Sequence, residues 1–506
     1  MADNFTGFDT EALSRVLDFD AQNPLLFNTC LFMLLFAGFL LVYQAMRKWR
    51  YVKLIFVILF SLYFYYKSSA QYCFILVGVC VMDYVVGRIM GKVAPRSRAG
   101  GRWLVALNVV VNVGMLVYFK YFNLIYETFA NITNTNFDAL DIILPAGISF
   151  FTFRSISYVV DIYRGHMQPA SNFLEYMFFL TFFPPLLAGP VVRAKDMLPQ
   201  IKANPVATRA MVTEGLFLIV AGLVKKVIIA DYISGNFVNR IFENPHLYSG
   251  FENLMGSLGF TIQIYCDFSG YSDMAIGIAL LLGFRFKDNF QAPFKSQNPT
   301  EFWRRWHISL STWLRDYIYI PLGGNRKGKV RTHINKMTTM VVGGLWHGAS
   351  WLYLVWGAFQ GVLLIGHKAL TSVFRLPERF KGKRVVKISN IVITLILTVI
   401  GFTIFRFAFN PDISESMDGL QKMTHQIFND FRPEIIPQFV EAYLLIVLLI
   451  LAGYTLHFLP THWNRKAVDA LTGLHPLLLT ILLAIVIMVI IQVKQSDLVP
   501  FVYLQY

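Results

Sequence analysis

Residues 343–357 read GGLWHGASWLYLVWG and place one side chain that titrates near neutral pH, His347, inside an apolar run. The run covers residues 337–366 and lies between two basic segments, 284–336 and 367–387. It is too short for two ordinary membrane crossings of about 20 residues each. The pattern therefore predicts a short or re-entrant hairpin at membrane depth, with His347 at its bend and glycines that allow close packing there.

The composition of the chain is that of a membrane protein. Of its 506 residues, 56% are hydrophobic and 15% are charged, whereas soluble domains carry charge on about a quarter of their residues. We therefore predict an all-α, polytopic integral membrane protein with roughly ten to twelve transmembrane helices. Long apolar runs recur at 25–45, 103–129, 211–232, 386–409, 439–458 and 476–493.

The formal net charge of +15 comes from Lys and Arg residues that cluster in short loops beside apolar runs. Such residues set the topology of a membrane protein, so the charge does not indicate a nucleic-acid-binding surface. The positive-inside rule places segments 284–336 and 367–387 in the cytoplasm. The acidic N-terminal segment, the acidic stretch 410–438 and the tail after Lys494 are predicted to lie outside, so both termini are expected to be periplasmic. The N-terminal segment lacks the basic start of a cleaved signal peptide, and the first apolar run is predicted to be a retained span.

His347 is the best candidate for a general base. An ionisable side chain within a hydrophobic run is costly, which makes it a functional hypothesis by default. Its aromatic neighbours, including Trp346, would exclude water, and a neutral imidazole can take a proton from a hydroxyl near neutral pH. The alternative is a histidine that is hydrogen-bonded for packing alone.

A second candidate, His307, lies in the segment 302–317, which mixes aromatic and charged residues as interfacial helices do. In a continuous helix, Trp303 and His307 would share a face. The arginines would contact lipid phosphates, or the segment would form the entry site for a phosphorylated acyl carrier. The candidate substrate-binding residues are Trp303, Arg304, Arg305, Arg315, Asp316, Asn325, Asn335 and Trp346.

Two further motifs have a structural and a functional interpretation. The glycine-rich basic turn at 321–329 could hold phosphate through its backbone amides, or it could be a solvated turn between two helices. Asp267 and Asp273 lie in an apolar stretch, 254–282. They either tie helices together, which we favour, or line a polar cavity and relay protons.

No metal site is predicted. The four cysteines fall in or beside apolar stretches without metal-ligand or disulfide spacing, and are assigned to packing. The histidines other than His307 and His347 also lack metal-like spacing and are assigned no chemistry.

Four stretches together carry a family likeness: 182–193, 265–273, 303–325 and 343–357. They resemble the membrane-bound O-acyltransferase superfamily. The likeness is strongest to the bacterial branch with the alginate O-acetyltransferase membrane subunit and the D-alanyl transferase of teichoic acid. It covers roughly residues 144–370 and the tail.

The resemblance implies a ring of tilted helices around a central funnel with a thin partition, together with re-entrant or interfacial helices. One membrane domain would cover residues 1–506 and lie in a bacterial inner membrane. Residues 1–135 would be the N-terminal helices, 140–370 the catalytic core, and 386–506 the C-terminal helices and periplasmic tail.

The resemblance also implies the chemistry. His347 matches the invariant histidine of the family, and His307 matches its second histidine. The donor substrate would be acetyl-CoA, with no bound cofactor, and a periplasmic SGNH-type partner would pass the acetyl group to an exopolysaccharide such as alginate. Anionic CoA cannot cross about 30 Å of hydrocarbon and would meet the basic segment 284–336. His347 would deprotonate an acceptor hydroxyl, which attacks the thioester.

The C-terminal residues 500–506 resemble an F-x-Y-x-x-F ending of the same branch, with Tyr506 in the last position. By that resemblance Tyr503 is a hypothetical acyl relay on the outer face; the alternative is an interfacial aromatic anchor.

Two rival functions stay open at this point. The first is D-alanyl or other acyl transfer to a cell-envelope polymer. The second is a polysaccharide or proton-coupled transporter, which would explain Asp267 and Asp273 without covalent chemistry. Internal repeats would favour a transporter, and none is visible in the sequence.

Overall fold

The computed structural model describes residues 17–20, 24–373, 382–493 and 501, and every regular element in these ranges is a helix. The prediction of an all-α protein is confirmed. By its internal contacts the chain divides into two units. The first is Met1–Phe119, Ile142–Leu187 and Arg193–Val206, and the second is Lys120–Asp141, Ala188–Val192 and Ala207–Tyr506. The prediction of a single domain stays a prediction.

The helices of the N-terminal part are α1 (Cys30–Ala45), α2 (Arg50–Ser69), α3 (Cys73–Val93), α4 (Arg98–Leu116), α5 (Phe122–Thr133), α6 (Ile148–Tyr163), α7 (Phe173–Thr181) and α8 (Ala194–Ala203). All except α5 belong to the first unit. Local sequence sets their starts: Thr29 Oγ1 accepts the N–H of Phe32 at the start of α1, and Ser97 Oγ accepts that of Gly100 at the start of α4.

The second unit contains α5 and the remaining helices: α9 (Arg209–Leu223), α10 (Asn239–Glu243), α11 (Gly250–Leu281), α12 (Pro299–Arg305), α13 (Ile308–Leu314), α14 (Gly328–His347), α15 (Trp351–Val373), α16 (Arg384–Phe407), α17 (Ile413–Asn429), α18 (Ile436–Ala442), α19 (Leu444–Phe458), α20 (His462–Gly473) and α21 (Pro476–Val493). Wider π-helical turns adjoin some of them, at Val117–Tyr121, Val224–Asp231, Ser234–Val238 and Arg315–Tyr319.

Three helical runs in the described ranges are long and apolar enough to cross a membrane: Arg50–Val93, Arg98–Thr133 and Arg384–Phe407. A fourth is added if Pro433–Ala442 and Leu444–Phe458, bent by 95°, count as one span. Large apolar side chains such as Trp103 point outward, as expected for surfaces that face lipid. The chain is thus a polytopic membrane protein, and the number of ten to twelve spans stays a prediction.

The longest helix, α11, packs against α9 through paired glycines. A Cβ on Gly222 would lie 2.5 Å from the carbonyl oxygen of Gly270, and a Cβ on Gly277 would lie 2.5 Å from that of Gly215. The pairs run in opposite directions along the chain, so the two helices are antiparallel. Small residues at such contacts allow the backbones of membrane helices to approach closely.

The first unit is tied together by a buried carboxylate. Asp83 on α3 accepts hydrogen bonds from Asn108 Nδ2 on α4 (2.7 Å), Ser155 Oγ on α6 (2.8 Å) and the Tyr176 hydroxyl on α7 (2.7 Å). A carboxylate taken out of water needs such partners. This network connects four helices of the unit around one side chain.

Candidate active site

The bend predicted at His347 is present. Helix α14 ends at His347 and α15 begins at Trp351, so residues 348–350 form the turn of a helical hairpin. The two helices are in close contact, because a Cβ on Gly344 would lie 2.3 Å from the carbonyl oxygen of Tyr353. The position of His347 at the bend is confirmed, whereas the re-entrant path of the hairpin stays a prediction.

Aromatic side chains enclose His347, which is 3% exposed. The ring centroids of Trp346, Trp356 and Phe405 lie 5.0, 5.1 and 5.1 Å from that of the imidazole. Phe405 comes from α16, far along the chain, and no local pattern indicated it. Trp351, which follows the bend, is 40% exposed. The enclosure excludes water from the imidazole, as expected for a base that acts on one hydroxyl.

The segment around His307 is not the continuous helix that would place Trp303 and His307 on one face, so that expectation is wrong. Helix α12 ends at Arg305, α13 begins at Ile308, and His307 between them has a φ of 42°. The break has a non-local cause: the N–H of Ile308 donates to the carbonyl oxygen of Asn289 (2.9 Å), in the loop that precedes α12. The corner turns His307 inward.

The two candidate histidines share one aromatic neighbour. Trp346 lies 5.8 Å from the His307 ring and 5.0 Å from the His347 ring, between centroids. His307 is 0% exposed and also packs edge-on against Phe268, at 4.5 Å. The two histidines belong to different sequence motifs, and the fold brings both into contact with Trp346.

The aromatic and amide candidates separate into two groups. Trp303 packs edge-on against Trp356 at 6.0 Å, so it belongs to the layer behind the His347 enclosure. Asn335 is buried and donates to the carbonyl oxygen of Gly324 (2.9 Å), which holds the glycine-rich turn, and Asn325 in that turn is exposed. The turn connects α13 and its π-helical continuation to α14. The roles of all these residues in binding stay predictions.

The charged candidates lie on the outside of the corner. Arg304 is exposed, and Arg305 pairs with Glu301 one helical turn earlier (2.8 Å). Arg315 pairs with its neighbour Asp316 (2.7 Å), and this hydrogen bond raises the pKa of the Arg315 guanidinium above its ordinary value. Their role in binding an anionic ligand stays a prediction.

Asp267 and Asp273 lie on one helix, α11, and both form ion pairs. Lys226 Nζ is 2.6 Å from Asp267 and 2.8 Å from Asp231, and Lys225 Nζ is 2.6 Å from Asp273. The geometry favours the structural interpretation, in which paired charges tie helices together. The two lysines were missed, although adjacent cations within the apolar run 211–232 were a visible signal.

A second set of missed residues holds the hairpin bend. The Lys120 ammonium donates to the carbonyl oxygens of Trp346 (2.8 Å) and His347 (3.1 Å), and the Tyr121 hydroxyl donates to that of Leu345 (2.6 Å). The last carbonyls of a helix have no partner within it, and a cation there also offsets the helix dipole. A lysine inside the apolar run 103–129 was again the available signal.

Tyr503, the hypothetical acyl relay, lies outside the described residues. Phe501 is described, and it is buried against α11. Its ring lies 4.8 Å from that of Tyr271 and 5.5 Å from that of Phe268. Phe268 is also in contact with His307. Phe501 in the tail is therefore connected to the candidate histidine His307 through one intervening ring, that of Phe268.

Comparison with known proteins adds to this geometry. A family model described as "MBOAT, membrane-bound O-acyltransferase family" matches residues 166–408, a range that contains both histidines and the ion pairs of α11. The resemblance stated from the sequence motifs is confirmed by this match.

Three similar proteins have names that refer to alginate, peptidoglycan and teichoic acid. A "Probable alginate O-acetylase AlgI" of Pseudomonas aeruginosa is 42% identical over 386 residues, 76% of this chain and 72% of that protein. A "Peptidoglycan O-acetyltransferase" of Helicobacter pylori is 38% identical over 381 residues, 69% of this chain and 72% of that protein. A "Teichoic acid D-alanyltransferase" of Bacillus subtilis is 28% identical over 271 residues, 51% of this chain and 68% of that protein.

Proposed function

Since this chain belongs to the membrane-bound O-acyltransferase family, we propose that it moves an acetyl group from cytoplasmic acetyl-CoA to an acceptor hydroxyl on the outer side of a bacterial inner membrane. It is a membrane acyltransferase. The transporter alternative, in which no covalent bond is made, is therefore dropped.

One observation carries the assignment of the chemistry. Trp346 is in ring contact with both histidines, and both are buried, His347 at the end of a helical hairpin and His307 at the corner between α12 and α13. A buried imidazole enclosed by aromatic rings meets a hydroxyl without competition from water, which would otherwise hydrolyse the thioester. This arrangement supports His347 as the general base.

The proposed reaction needs no metal and no bound cofactor. His347 takes the proton of the acceptor hydroxyl while the hydroxyl oxygen attacks the carbonyl carbon of the thioester. The tetrahedral intermediate collapses, the carbon–sulfur bond breaks, and the CoA thiolate takes a proton, which the imidazolium of His347 can return. The exposed arginines of segment 284–336 would attract the CoA phosphates from the cytoplasm.

The proposed acceptor is an exopolysaccharide, reached through a periplasmic SGNH-type partner. The names of two similar proteins, at 42% and 38% identity, support O-acetylation of a polysaccharide or peptidoglycan. D-alanyl transfer is the second candidate, supported by a similarity of 28%. Liposomes that contain the protein would distinguish them: labelled acetyl-CoA, but not a D-alanyl thioester, should be consumed.

The same liposomes test the role of His347. With labelled acetyl-CoA on the cytoplasmic side, the wild-type protein should label an acceptor on the other side, and His347→Ala should not. The matched control is His457→Gln, since His457 is also buried but its Nε2 only accepts the N–H of Phe294 (3.0 Å). Equal labelling by His347→Ala and the wild type would refute the mechanism.

Tyr503 is proposed as an acyl carrier between the thioester and the final acceptor. Its hydroxyl would then be the one that His347 deprotonates: the tyrosyl oxygen attacks the thioester, the carbon–sulfur bond breaks and CoA thiol leaves, and the tyrosyl ester later passes the acetyl group to the hydroxyl of the final acceptor, which frees Tyr503 again. Tyr503→Phe should then abolish transfer to the outer acceptor. Unchanged transfer by this variant would remove the relay and leave the tail as an anchor.

A further inference from the structure

The hydrogen bonds around His307 differ at its two ring nitrogens. His307 Nδ1 lies 3.3 Å from Asn289 Oδ1, slightly longer than the usual range of about 2.7–3.2 Å for such a bond. Nε2 is buried and, within the described ranges, has no hydrogen-bond partner. A buried polar atom without a partner calls for an explanation, and a substrate group is the simplest one at a candidate active site.

The orientation of the Asn289 amide is fixed independently of the histidine. Asn289 Oδ1 accepts the backbone N–H of Ser309 (3.2 Å) and the Ser309 hydroxyl (2.9 Å), while Asn289 Nδ2 donates to Ser272 Oγ (3.1 Å). A backbone N–H can only donate, so the amide atom that faces Ser309 must be the oxygen. The same oxygen faces His307.

The tautomer of His307 follows from this orientation. A carbonyl oxygen can only accept, so Nδ1 must carry the hydrogen. In the neutral ring Nε2 then has a lone pair and no hydrogen. It can accept a hydrogen bond, but it cannot donate one to a carbonyl oxygen or to the oxyanion of a tetrahedral intermediate.

We infer that Asn289 is a positioning residue that holds His307 in the Nδ1–H tautomer, so that Nε2 accepts a hydrogen bond from an O–H or N–H group of a substrate. This inference rests on the proposed acyl transfer. In that reaction two substrate groups are such donors: the acceptor hydroxyl, and the amide N–H groups of the pantetheine arm of the thioester. In this tautomer His307 Nε2 does not stabilise the oxyanion of the tetrahedral intermediate, because it has no hydrogen to donate.

Two substitutions of His307 separate its ring nitrogens. In His307→Gln the side-chain amide reaches the place of Nε2 and can present an oxygen there. In His307→Asn the shorter side chain reaches only the place of Nδ1. We expect His307→Gln to retain at least about tenfold more transfer than His307→Asn. Equal activity, or the reverse order, would overturn the inference.

Substitutions of Asn289 test the positioning itself. Asn289→Leu removes the acceptor and should lower kcat/KM for acetyl-CoA on the order of 10- to 100-fold, as loss of a partner that orients a histidine does. Asn289→Asp keeps an oxygen towards Nδ1 and should recover most of that loss. The matched control is Asn253→Leu, because Asn253 is also fully buried but donates only to backbone carbonyls at the start of α11.

The two possible donors give different kinetics. If Nε2 accepts a pantetheine N–H, the His307→Asn loss appears as a higher KM for acetyl-CoA; if it accepts the acceptor hydroxyl, the loss appears in kcat. Wild-type protein that transfers no acetyl group would refute the proposed function. Active wild type with an Asn289→Leu variant that keeps its full kcat/KM for acetyl-CoA would refute this inference alone.

Discussion

Replacing Lys120 with methionine should slow acetyl transfer and leave both the fold and the binding of acetyl-CoA nearly intact. The Lys120 ammonium donates to the carbonyl oxygens of Trp346 and His347, the last two residues of α14. Methionine keeps most of the apolar stem of the side chain but has no donor. The variant therefore removes the cation from the end of the helix that carries the proposed base.

The size of the effect follows from two opposing terms. A hydrogen bond to a charged group contributes about 1.5–3 kcal/mol, so the two bonds of Lys120 amount to about 3–6 kcal/mol. Withdrawing the ammonium from water costs several kcal/mol in the opposite direction, a cost that methionine does not have. The free energy of unfolding should change by only about 1–2 kcal/mol.

Catalysis is expected to respond more strongly than stability. Displacing a reacting group by about 1 Å can cost about 100-fold in rate, and the hairpin bend carries the imidazole. We expect kcat to fall about 10- to 100-fold in Lys120→Met, with the KM for acetyl-CoA within about twofold of the wild-type value. Lys120→Arg should recover part of the loss, because a guanidinium can donate to two carbonyls.

The assay is transfer of labelled acetyl groups by protein in liposomes, normalised to folded protein. The matched control is Lys67→Met, because Lys67 is 2% exposed and also donates to a backbone carbonyl, that of Asp18, within the first unit. Full kcat in Lys120→Met would refute the reasoning. An equal loss of kcat in Lys67→Met would do the same, since it would mean that any buried lysine matters.

Three further predictions concern stability and donor binding. Lys226→Met should lower the free energy of unfolding by about 3–5 kcal/mol, because it leaves Asp267 buried without its cation. The double variant Lys226→Met, Asp267→Leu should regain much of the lost stability, as measured by thermal unfolding. Gly222→Ala should reduce the yield of folded protein, since its Cβ would lie 2.5 Å from a backbone oxygen, whereas Gly38→Ala, which meets nothing within 4 Å, should be tolerated. The KM for acetyl-CoA should rise with salt from about 0.05 to 0.3 M, because salt screens the cations of segment 284–336; a KM independent of salt would argue against that segment as the donor site.

Properties that depend on composition and on loop charge could be predicted from the sequence. Apolar content gave the membrane-protein class, and the two basic loops on either side of a short apolar run located the bend at His347. These signals depend on the composition of the whole chain or on residues close in sequence, so they can be used without knowledge of the fold. Asp267 and Asp273 form ion pairs, which fits the favoured interpretation that they tie helices together.

Properties that depend on distant contacts could not be predicted. His307 lies in a corner and not in a helix because the chain near Asn289 bonds to its backbone, and nothing within the aromatic segment indicates that partner. Lys120 contacts a helix end more than two hundred residues away. Phe405 completes the enclosure of His347 from another helix. In each case the partner is chosen by tertiary packing, which one sequence does not record.

The ion pairs between α11 and the π-helical turn after α9 have a consequence for biogenesis. A charged residue at the centre of a lone helix raises the free energy of insertion by about 2.5–3.5 kcal/mol, and the segment from Arg209 carries both Lys225 and Lys226. Neither this segment nor α11, with its two aspartates, is well suited to enter the bilayer alone. We expect the translocon to release the segment from Arg209 and α11 together, as a hairpin in which the lysines and aspartates neutralise each other. In chains truncated between these two elements, the segment from Arg209 should then fail to integrate. Glycosylation mapping of such truncations would record that order of events.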